Sequence, residues 1–152
     1  MEAVNRTLVV FRSPAFNTSE RKPYFVNDGC FGDDVARWMI SRLRSLDIET
    51  DDEPGQEDFG WYFGFRTADG SYSFVIGYRP DDPVGDWIGT VERHCGFVAS
   101  LFGGRSKGIT AAAAGAIHRA LSGAPEITSL SWHYDRRFDE GNEKGADSPA
   151  AG

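Results

Sequence analysis

The sequence predicts an α+β fold, a two-layer sandwich in which a largely antiparallel sheet has helices packed on one of its faces. Three observations support this class. Aromatic residues alternate with smaller or polar residues from Phe59 to Arg66, which indicates a strand. Asp69-Gly70 follows as a two-residue turn signal and predicts a hairpin. Stretches with a helical spacing of apolar residues precede and follow this hairpin, so helices are present to cover one face.

The residues before the hairpin predict a strand, a long loop and a helix. Thr7 to Arg12 is rich in β-branched and apolar residues and ends at Ser13-Pro14. The chain from there to Gly32 shows no regular period and contains turn formers, so it predicts a long loop. Asp33 is the expected helix N-cap, and the inward face of the helix comprises Val35, Met39, Leu43 and Leu46. Ile48 to Thr50 is a candidate short strand.

The turn at Asp69-Gly70 sets an expected register for the hairpin. It pairs Phe65 with Phe74, Phe63 with Ile76, and Trp61 with Tyr78. This register collects the large aromatic side chains on the face toward the helices, and a slip of one residue would reverse the faces. The opposite face then holds Gly60, Tyr62, Gly64, Arg66, Val75, Gly77 and Arg79.

Two interpretations are open for residues 86–102. Apolar residues recur three and four positions apart from Trp87 to Phe102, which favours an amphipathic helix. Gly89 and Gly96 weaken this interpretation, because each glycine costs a helix about 1 kcal/mol relative to alanine. The alternative is a strand from Trp87 to His94 followed by a short helix.

The remaining chain predicts one helix, one strand and a tail. Thr110 is the expected N-cap of a helix that ends at Gly123, and its inward residues are Ala113, Ile117, Ala120 and Leu121. Ile127 to Tyr134 predicts the last strand. Residues 1–138 therefore form one expected α+β domain, whereas residues 139–152 lack large apolar side chains and predict a disordered tail.

Composition restricts the class of protein further. With only Cys30 and Cys95 in 152 residues, the chain is expected to be reduced and cytoplasmic. The beginning of the sequence shows neither a signal peptide nor an apolar stretch of membrane-spanning length. We therefore expect no association with a membrane.

Negative charge is concentrated in one stretch. Seven of the 23 acidic residues lie between Asp47 and Asp58, which contains no Lys or Arg, and the rest of the chain has 16 acids and 16 bases. Such local charge can steer a cationic partner, whereas nucleic-acid binding needs clustered basic residues. The candidate partner-binding acids are Asp51, Asp52, Glu53, Glu57 and Asp58. A solvated loop is the plainer alternative, and the spacing matches no calcium-loop pattern, so no metal or cofactor is expected.

Two further groups of residues are candidate binding sites. Tyr62, between Arg66 and Arg79 on the glycine-rich face of the hairpin, forms an expected aromatic and cationic platform; the alternative is that Tyr62 only packs over Gly77. Arg105 and Lys107, in a glycine-rich stretch before Thr110, are candidate anion-binding residues, and an ordinary connection is the alternative.

Catalytic chemistry receives little support from the sequence. The histidines His94, His118 and His133 do not have the spacing of metal ligands on one helix. Cys30 precedes a helix N-terminus, which favours a reactive thiolate, but the neighbouring aspartates disfavour it, so its reactivity stays open. No catalytic residue is assigned.

These observations favour a non-enzymatic cytoplasmic binding module that captures a protein partner with a basic surface, in the manner of an inhibitor, an antitoxin or an immunity protein. The alternative is a small enzyme or sensor that binds an anionic metabolite through Arg66, Arg79, Arg105 or Lys107. The oligomeric state is not indicated by the sequence.

Overall fold

Short alternating segments and two amphipathic segments form the elements of the fold. In a computed structural model, the described residues are 6–26, 29–57, 60–80, 85–93, 109–134 and 145–149. The strands in these ranges are β1 (Leu8–Arg12), β2 (Glu49–Thr50), β3 (Gly55–Glu57), β4 (Gly60–Thr67), β5 (Gly70–Arg79), β6 (Asp86–Arg93) and β7 (Thr128–His133). The helices in the same ranges are α1 (Asp33–Ser45) and α2 (Ala111–Ser122).

All seven strands of the described chain belong to one antiparallel sheet. Its order is β2-β4-β5-β6-β1-β7, and β3 also pairs with β4, beyond β2 along the same edge. A large antiparallel sheet with helices, two of them in the described ranges, is a mixed α+β architecture, as the sequence predicts.

The hydrophobic core combines buried residues of the helices with one set of alternating strand residues. Both helices contribute buried residues, among them Met39, Leu43, Ile117 and Leu121. The sheet contributes Val9, Phe11, Trp61, Phe63, Phe65, Phe74, Ile76, Trp87, Val91 and Trp132. Since successive strand residues point to opposite faces, the residues between these positions lie on the other face of the sheet.

The β4–β5 hairpin has the expected faces but a different register. Phe65 pairs with Tyr72, Phe63 with Phe74, and Trp61 with Ile76, so the predicted pairs are wrong by two residues. The central residues of the turn are Ala68-Asp69, because Thr67 pairs with Gly70. A hydrogen bond from the Thr67 hydroxyl stabilises the Asp69 carboxylate in this turn and lowers its pKa. A shift of two residues preserves every face, so the aromatic residues stay buried.

The favoured helix over residues 86–102 is wrong for its first part, where the structure has strand β6. The alternative, a strand from Trp87, is correct up to Arg93, and residues 94–108 lie outside the described residues. β6 pairs with β5 on one side and with β1 on the other. Its core positions include Gly89, where an added Cβ would lie 2.2 Å from the Phe74 ring. Glycine thus provides space for an aromatic ring in the core.

The helix ends agree with the sequence at α2 and differ at α1. The Thr110 side chain caps α2 by accepting a hydrogen bond from the Ala113 amide, as predicted. The N-cap of α1 is Gly32, with φ 130°, so the prediction of Asp33 as N-cap is wrong by one residue. Asp33 and Asp34 instead occupy the first turn, where carboxylates interact favourably with the helix dipole.

Part of the predicted C-terminal tail lies against the sheet. The Trp132 and Ala146 backbones exchange two hydrogen bonds, and the Arg6 amide donates to the Pro149 carbonyl. Residues 145–149 therefore border β7, while the domain boundary at residue 138 stays a prediction. None of the helices in the described ranges has the length and apolar character needed to cross a membrane.

Candidate functional site

The acidic stretch forms an insertion at the β2–β3 edge of the sheet. Thr50, at the end of β2, pairs with Phe65, and Gly55, at the start of β3, pairs with Tyr62. Residues 51–54 between them therefore stand opposite only two residues of β4, Phe63 and Gly64, and must project from the edge. We call residues 51–54 the acidic bulge, because three of the four are Asp51, Asp52 and Glu53.

Asp51 fixes the base of the acidic bulge to β4. Its Oδ2 accepts a hydrogen bond from the Gly64 amide at 2.8 Å, and its own amide donates to the Gly64 carbonyl at 2.9 Å. A Cβ at Gly64 would lie 2.7 Å from the same carboxylate oxygen. The glycine at position 64 therefore makes room for the Asp51 carboxylate, and no space for a ligand is left there.

Arginines from other elements partly neutralise the acidic bulge. Arg44 pairs with Asp52 at 2.7 Å, and Arg37 pairs with Glu53. Arg66 pairs with Asp51 at 3.3 Å and with Glu49 at 3.5 Å. Within the described residues, these three arginines face six acids from Asp47 to Glu57, so an excess of negative charge remains there. The Asp52 and Glu53 side chains are 95% and 68% exposed, and ion pairs this exposed exchange readily for new partners.

Side chains line this edge of the sheet. Arg44 donates to Thr50 Oγ1 at 2.8 Å, beside β2. The Gln56 carboxamide accepts a hydrogen bond from the Val26 amide and donates one to the Tyr24 carbonyl. These bonds hold residues 24–26 of the loop beside β3. A strand of another chain would meet these side chains, which disfavours its addition to this edge.

Cys30 lies inside this edge and has no access to solvent. It is 0% exposed, and its Sγ lies 3.3 Å from the Glu57 carbonyl oxygen of β3. Its own carbonyl accepts a hydrogen bond from the Trp61 indole. The thiol is thus packed between the loop and the sheet, and this burial is unsuited to a nucleophile that meets a substrate.

The exposed large apolar side chains of the described chain all border β3. They are Val26, Tyr24 and Tyr62, which are 56%, 52% and 37% exposed. The first two belong to the loop segment that Gln56 holds, and the Tyr62 ring covers Gly55, whose added Cβ would lie 2.4 Å from it. Sequence reasoning missed Tyr24 and Val26, since an apolar residue in an irregular loop carries no periodic signal.

The expected platform of Tyr62, Arg66 and Arg79 does not form one site. All three lie on the sheet face away from the core, as predicted, but Tyr62 stands opposite Val75 instead of Gly77, and its ring covers Gly55. Arg66 pairs with Ser71, eight positions along β5 from Arg79. At about 3.3 Å per residue, the two arginines are roughly 26 Å apart along the sheet. A small metabolite cannot contact both.

Arg79 belongs to a second charged group at the other end of this face. Asp86 Oδ2 accepts from Arg79 and Oδ1 accepts from Arg12, both at 2.9 Å. Burial raises the pKa of Asp86, but the two arginine hydrogen bonds outweigh it, so the pKa is lower than usual. This group joins β5, β6 and β1, and it is an anchor of the sheet.

Several candidate residues lie outside the described ranges. They are Asp58, His94, Cys95, Arg105 and Lys107, so the anion-binding hypothesis for the last two stays a prediction. Within the described ranges, no group of three or more His, Cys, Asp or Glu side chains is arranged to hold a metal ion.

Comparisons of the chain with protein families, with curated proteins and with solved structures find no match. A function must therefore be argued from the geometry above.

Proposed function

We propose that the chain is a non-enzymatic cytoplasmic binding module that captures a protein partner with a basic surface, in the role of an inhibitor, antitoxin or immunity-type protein. The docking surface of this proposal comprises the acidic bulge, Glu57 and the exposed side chains of Tyr24, Val26 and Tyr62. The observation that carries the proposal is that the exposed large apolar side chains of the described chain all adjoin the excess of carboxylates.

The combination of groups supports a protein partner in preference to a small ligand. Protein interfaces place apolar and aromatic contacts at the centre and polar contacts at the rim, and Tyr is enriched in them. The carboxylates of Asp52 and Glu53 would meet Lys or Arg of the partner, with Arg44 and Arg37 released to solvent. Tyr24 is held in position for this role, because its hydroxyl donates to Asp33, a hydrogen bond that raises the Tyr24 pKa.

The proposal also assumes a two-layer sandwich, in which the helices cover only one face of the sheet. Its support is that the buried residues of α1 and α2 share one core with Trp61, Phe63 and Phe65, whereas Tyr62 between them is exposed. In this arrangement the partner contacts both the open face, through Tyr62, and the edge, through Tyr24 and Val26.

The first experiment identifies the partner by contact. A photo-crosslinking amino acid replaces Val26 or Tyr62 in the native host, and a control variant carries it at Ser122, the exposed last residue of α2. We expect both docking positions to crosslink the same protein, rich in Lys and Arg, and the control position not to do so. Crosslinks to unrelated proteins at the two positions would contradict a single docking surface.

The second experiment measures association of the purified partner by stopped flow. The variant Asp52→Asn, Glu53→Gln, Glu57→Gln should lower the association rate about tenfold or more at low salt, with a smaller change in the dissociation rate. Asp51 is kept, because it holds Gly64. The control Asp139→Asn, Glu140→Gln, Glu143→Gln changes the net charge equally elsewhere in the sequence. An equal loss of rate in both variants would overturn the proposed location of the steering charge.

A further inference from the structure

A groove beside the β4–β5 turn, at the end of β4 away from Tyr62, has a balanced set of charges. It has a volume of about 480 Å³ and lies between the end of α1, β2, the β4–β5 turn and α2. Leu46 and Ile48, both half-buried, supply apolar surface, and the charged lining residues are Asp47, Glu49, Arg66 and Arg119. A ligand here meets two carboxylates and two guanidinium groups.

Two of these four charges already form a pair. Arg66 lies 3.5 Å from Glu49, and it also contacts Asp51. The Asp47 and Arg119 side chains, in contrast, make no ion pair or hydrogen bond with each other or with any other side chain of the described chain. With respect to the described residues, the groove therefore presents one unpaired carboxylate and one unpaired guanidinium group, with an apolar surface beside them.

The backbone at Asp47 also sets this residue apart. Its φ is 63°, in the left-handed region. The end of α1 is closed by two hydrogen bonds, from the Asp47 amide to the Arg44 carbonyl and from the Ile48 amide to the Leu43 carbonyl. Glycine is the usual residue at this position after a helix, because a side chain is strained there. Strained residues cluster at sites that bind ligands, so Asp47, which has no side-chain partner within the described chain, is a candidate ligand contact.

From this geometry we propose that the groove binds a small zwitterion of the α-amino-acid type with an apolar side chain. Arg119 holds the carboxylate of the ligand, since a guanidinium group matches a carboxylate with two parallel hydrogen bonds. Asp47 holds the ammonium group, and the ligand's side chain lies on Leu46 and Ile48. A simple anion fits less well, because it would face Asp47 and Glu49. Ala112 and Arg119, both in the lining, are seven residues apart, or about 10 Å along α2, which suits a molecule of this size.

The test is an NMR titration of the full chain with leucine, followed through the amides of Asp47, Ile48 and Ala112. Two matched compounds each lack one charge: 4-methylpentanoate has no ammonium group, and 3-methylbutylamine has no carboxylate. We expect saturable shifts with leucine and at least tenfold weaker binding of each single-charge compound. Equal affinity for either of them, or no saturable shift with leucine up to about 10 mM, overturns the proposal, since weaker binding would contribute less than about 3 kcal/mol.

Variants localise the binding and separate it from misfolding. Arg119→Gln and Asp47→Asn should each weaken leucine binding at least tenfold; asparagine is chosen because it tolerates the left-handed conformation. Arg93→Gln is the control, because Arg93 is also an exposed arginine without an ion pair in the described chain. An equal loss in the Arg93 variant, with unchanged spectra elsewhere, would place the binding outside the groove.

Discussion

Asp47 lowers the stability of the fold, because its backbone has a left-handed conformation that is unfavourable for a residue with a side chain. An L-residue at φ 63° places its Cβ close to its own following carbonyl, at a cost of about 1–2 kcal/mol, which aspartate reduces by local hydrogen bonding. The side chain of Asp47 makes no such bond within the described chain. No contact of the described chain therefore offsets the backbone strain at Asp47. Its carboxylate is left available for the proposed ligand.

Asp47→Gly should therefore stabilise the protein. Removing the Cβ relieves the strain, and part of the gain is offset by the greater freedom of glycine in the unfolded chain, so the free energy of unfolding should rise by about 0.5–1 kcal/mol. Urea denaturation measures it. Asp47→Ala is the control, because it removes the carboxylate and keeps the strained Cβ. If alanine stabilises as much as glycine, repulsion between carboxylates is the cause and backbone strain is not.

At the scale of one residue, some of the candidate site was predictable and some was not. The exposure of Asp52, Glu53 and Tyr62 followed from charge and from the alternation of the hairpin. Asp47 carried a signal that was overlooked, since an aspartate stands where the end of a helix favours glycine. The contribution of Arg119 was hidden, because one exposed arginine on a helix resembles any other until the fold places it beside a groove.

At the scale of elements, the periodic patterns determined faces better than they determined registers. A period of two identifies which residues of β4 and β5 share a face, but a shift by two residues leaves this pattern unchanged. The register depended on the turn, and both Asp69-Gly70 and Ala68-Asp69 are compatible with the sequence at the tip. In β6 the alternation Trp87, Gly89, Val91 was concealed, because the middle core position is a glycine and contributes no apolar signal. β3 was missed, since "GQE" has no apolar residue and pairs through its backbone.

The packing of Phe74 on Gly89 predicts a strong dependence on the size of residue 89. In Gly89→Ala the new Cβ would lie 2.2 Å from the Phe74 ring, which is 0% exposed and cannot move freely. We expect a loss of about 1–3 kcal/mol in the free energy of unfolding, as for other overpacked cores. The measurement is urea denaturation of the purified variant.

A double-mutant cycle distinguishes this contact from an intrinsic preference for glycine. Phe74→Leu shortens the side chain, so Gly89→Ala combined with Phe74→Leu should be less destabilised than the sum of the two single variants, by about 0.5–3 kcal/mol. Additive losses would mean that the alanine acts elsewhere, for example through the twist of β6.

At the scale of the whole molecule, charges that are far apart in the sequence determine the character of the proposed docking surface. The acidic stretch was expected to be an uncompensated ridge, because Asp47 to Asp58 contains no basic residue. The fold brings Arg37 and Arg44 from α1 and Arg66 from β4 to this edge. Periodicity cannot reveal such contacts, since they depend on how α1 lies across the sheet. The surface therefore carries charges of both signs with an excess of negative charge. Its specificity would depend on net charge and also on replacing its own ion pairs with ion pairs to the partner.

The free energy of unfolding should depend on pH, because a histidine takes part in the contact between α2 and β7. The Trp132 indole, 0% exposed in β7, donates to Nδ1 of His118 in α2 at 3.0 Å, so this nitrogen must be unprotonated in the folded protein. Burial lowers the pKa of His118 below its usual value near 6.5. In the unfolded chain the histidine takes up a proton first as the pH falls, so the stabilisation present above about pH 6.5 is lost as the pH falls through the folded-state pKa.

The free energy of unfolding should accordingly decrease between about pH 7 and pH 5, with a contribution from His118 of at most about 1.4 kcal/mol per pH unit. His118→Gln is the matched variant, because its amide oxygen can accept the Trp132 hydrogen bond and does not titrate. The other histidines remain in both proteins, so the difference between the two pH profiles isolates His118. Urea denaturation at a series of pH values should give a shallower profile for the variant. If the profiles of the two proteins are parallel across this range, His118 is not the residue that couples stability to pH, and protonation does not break the contact between α2 and β7.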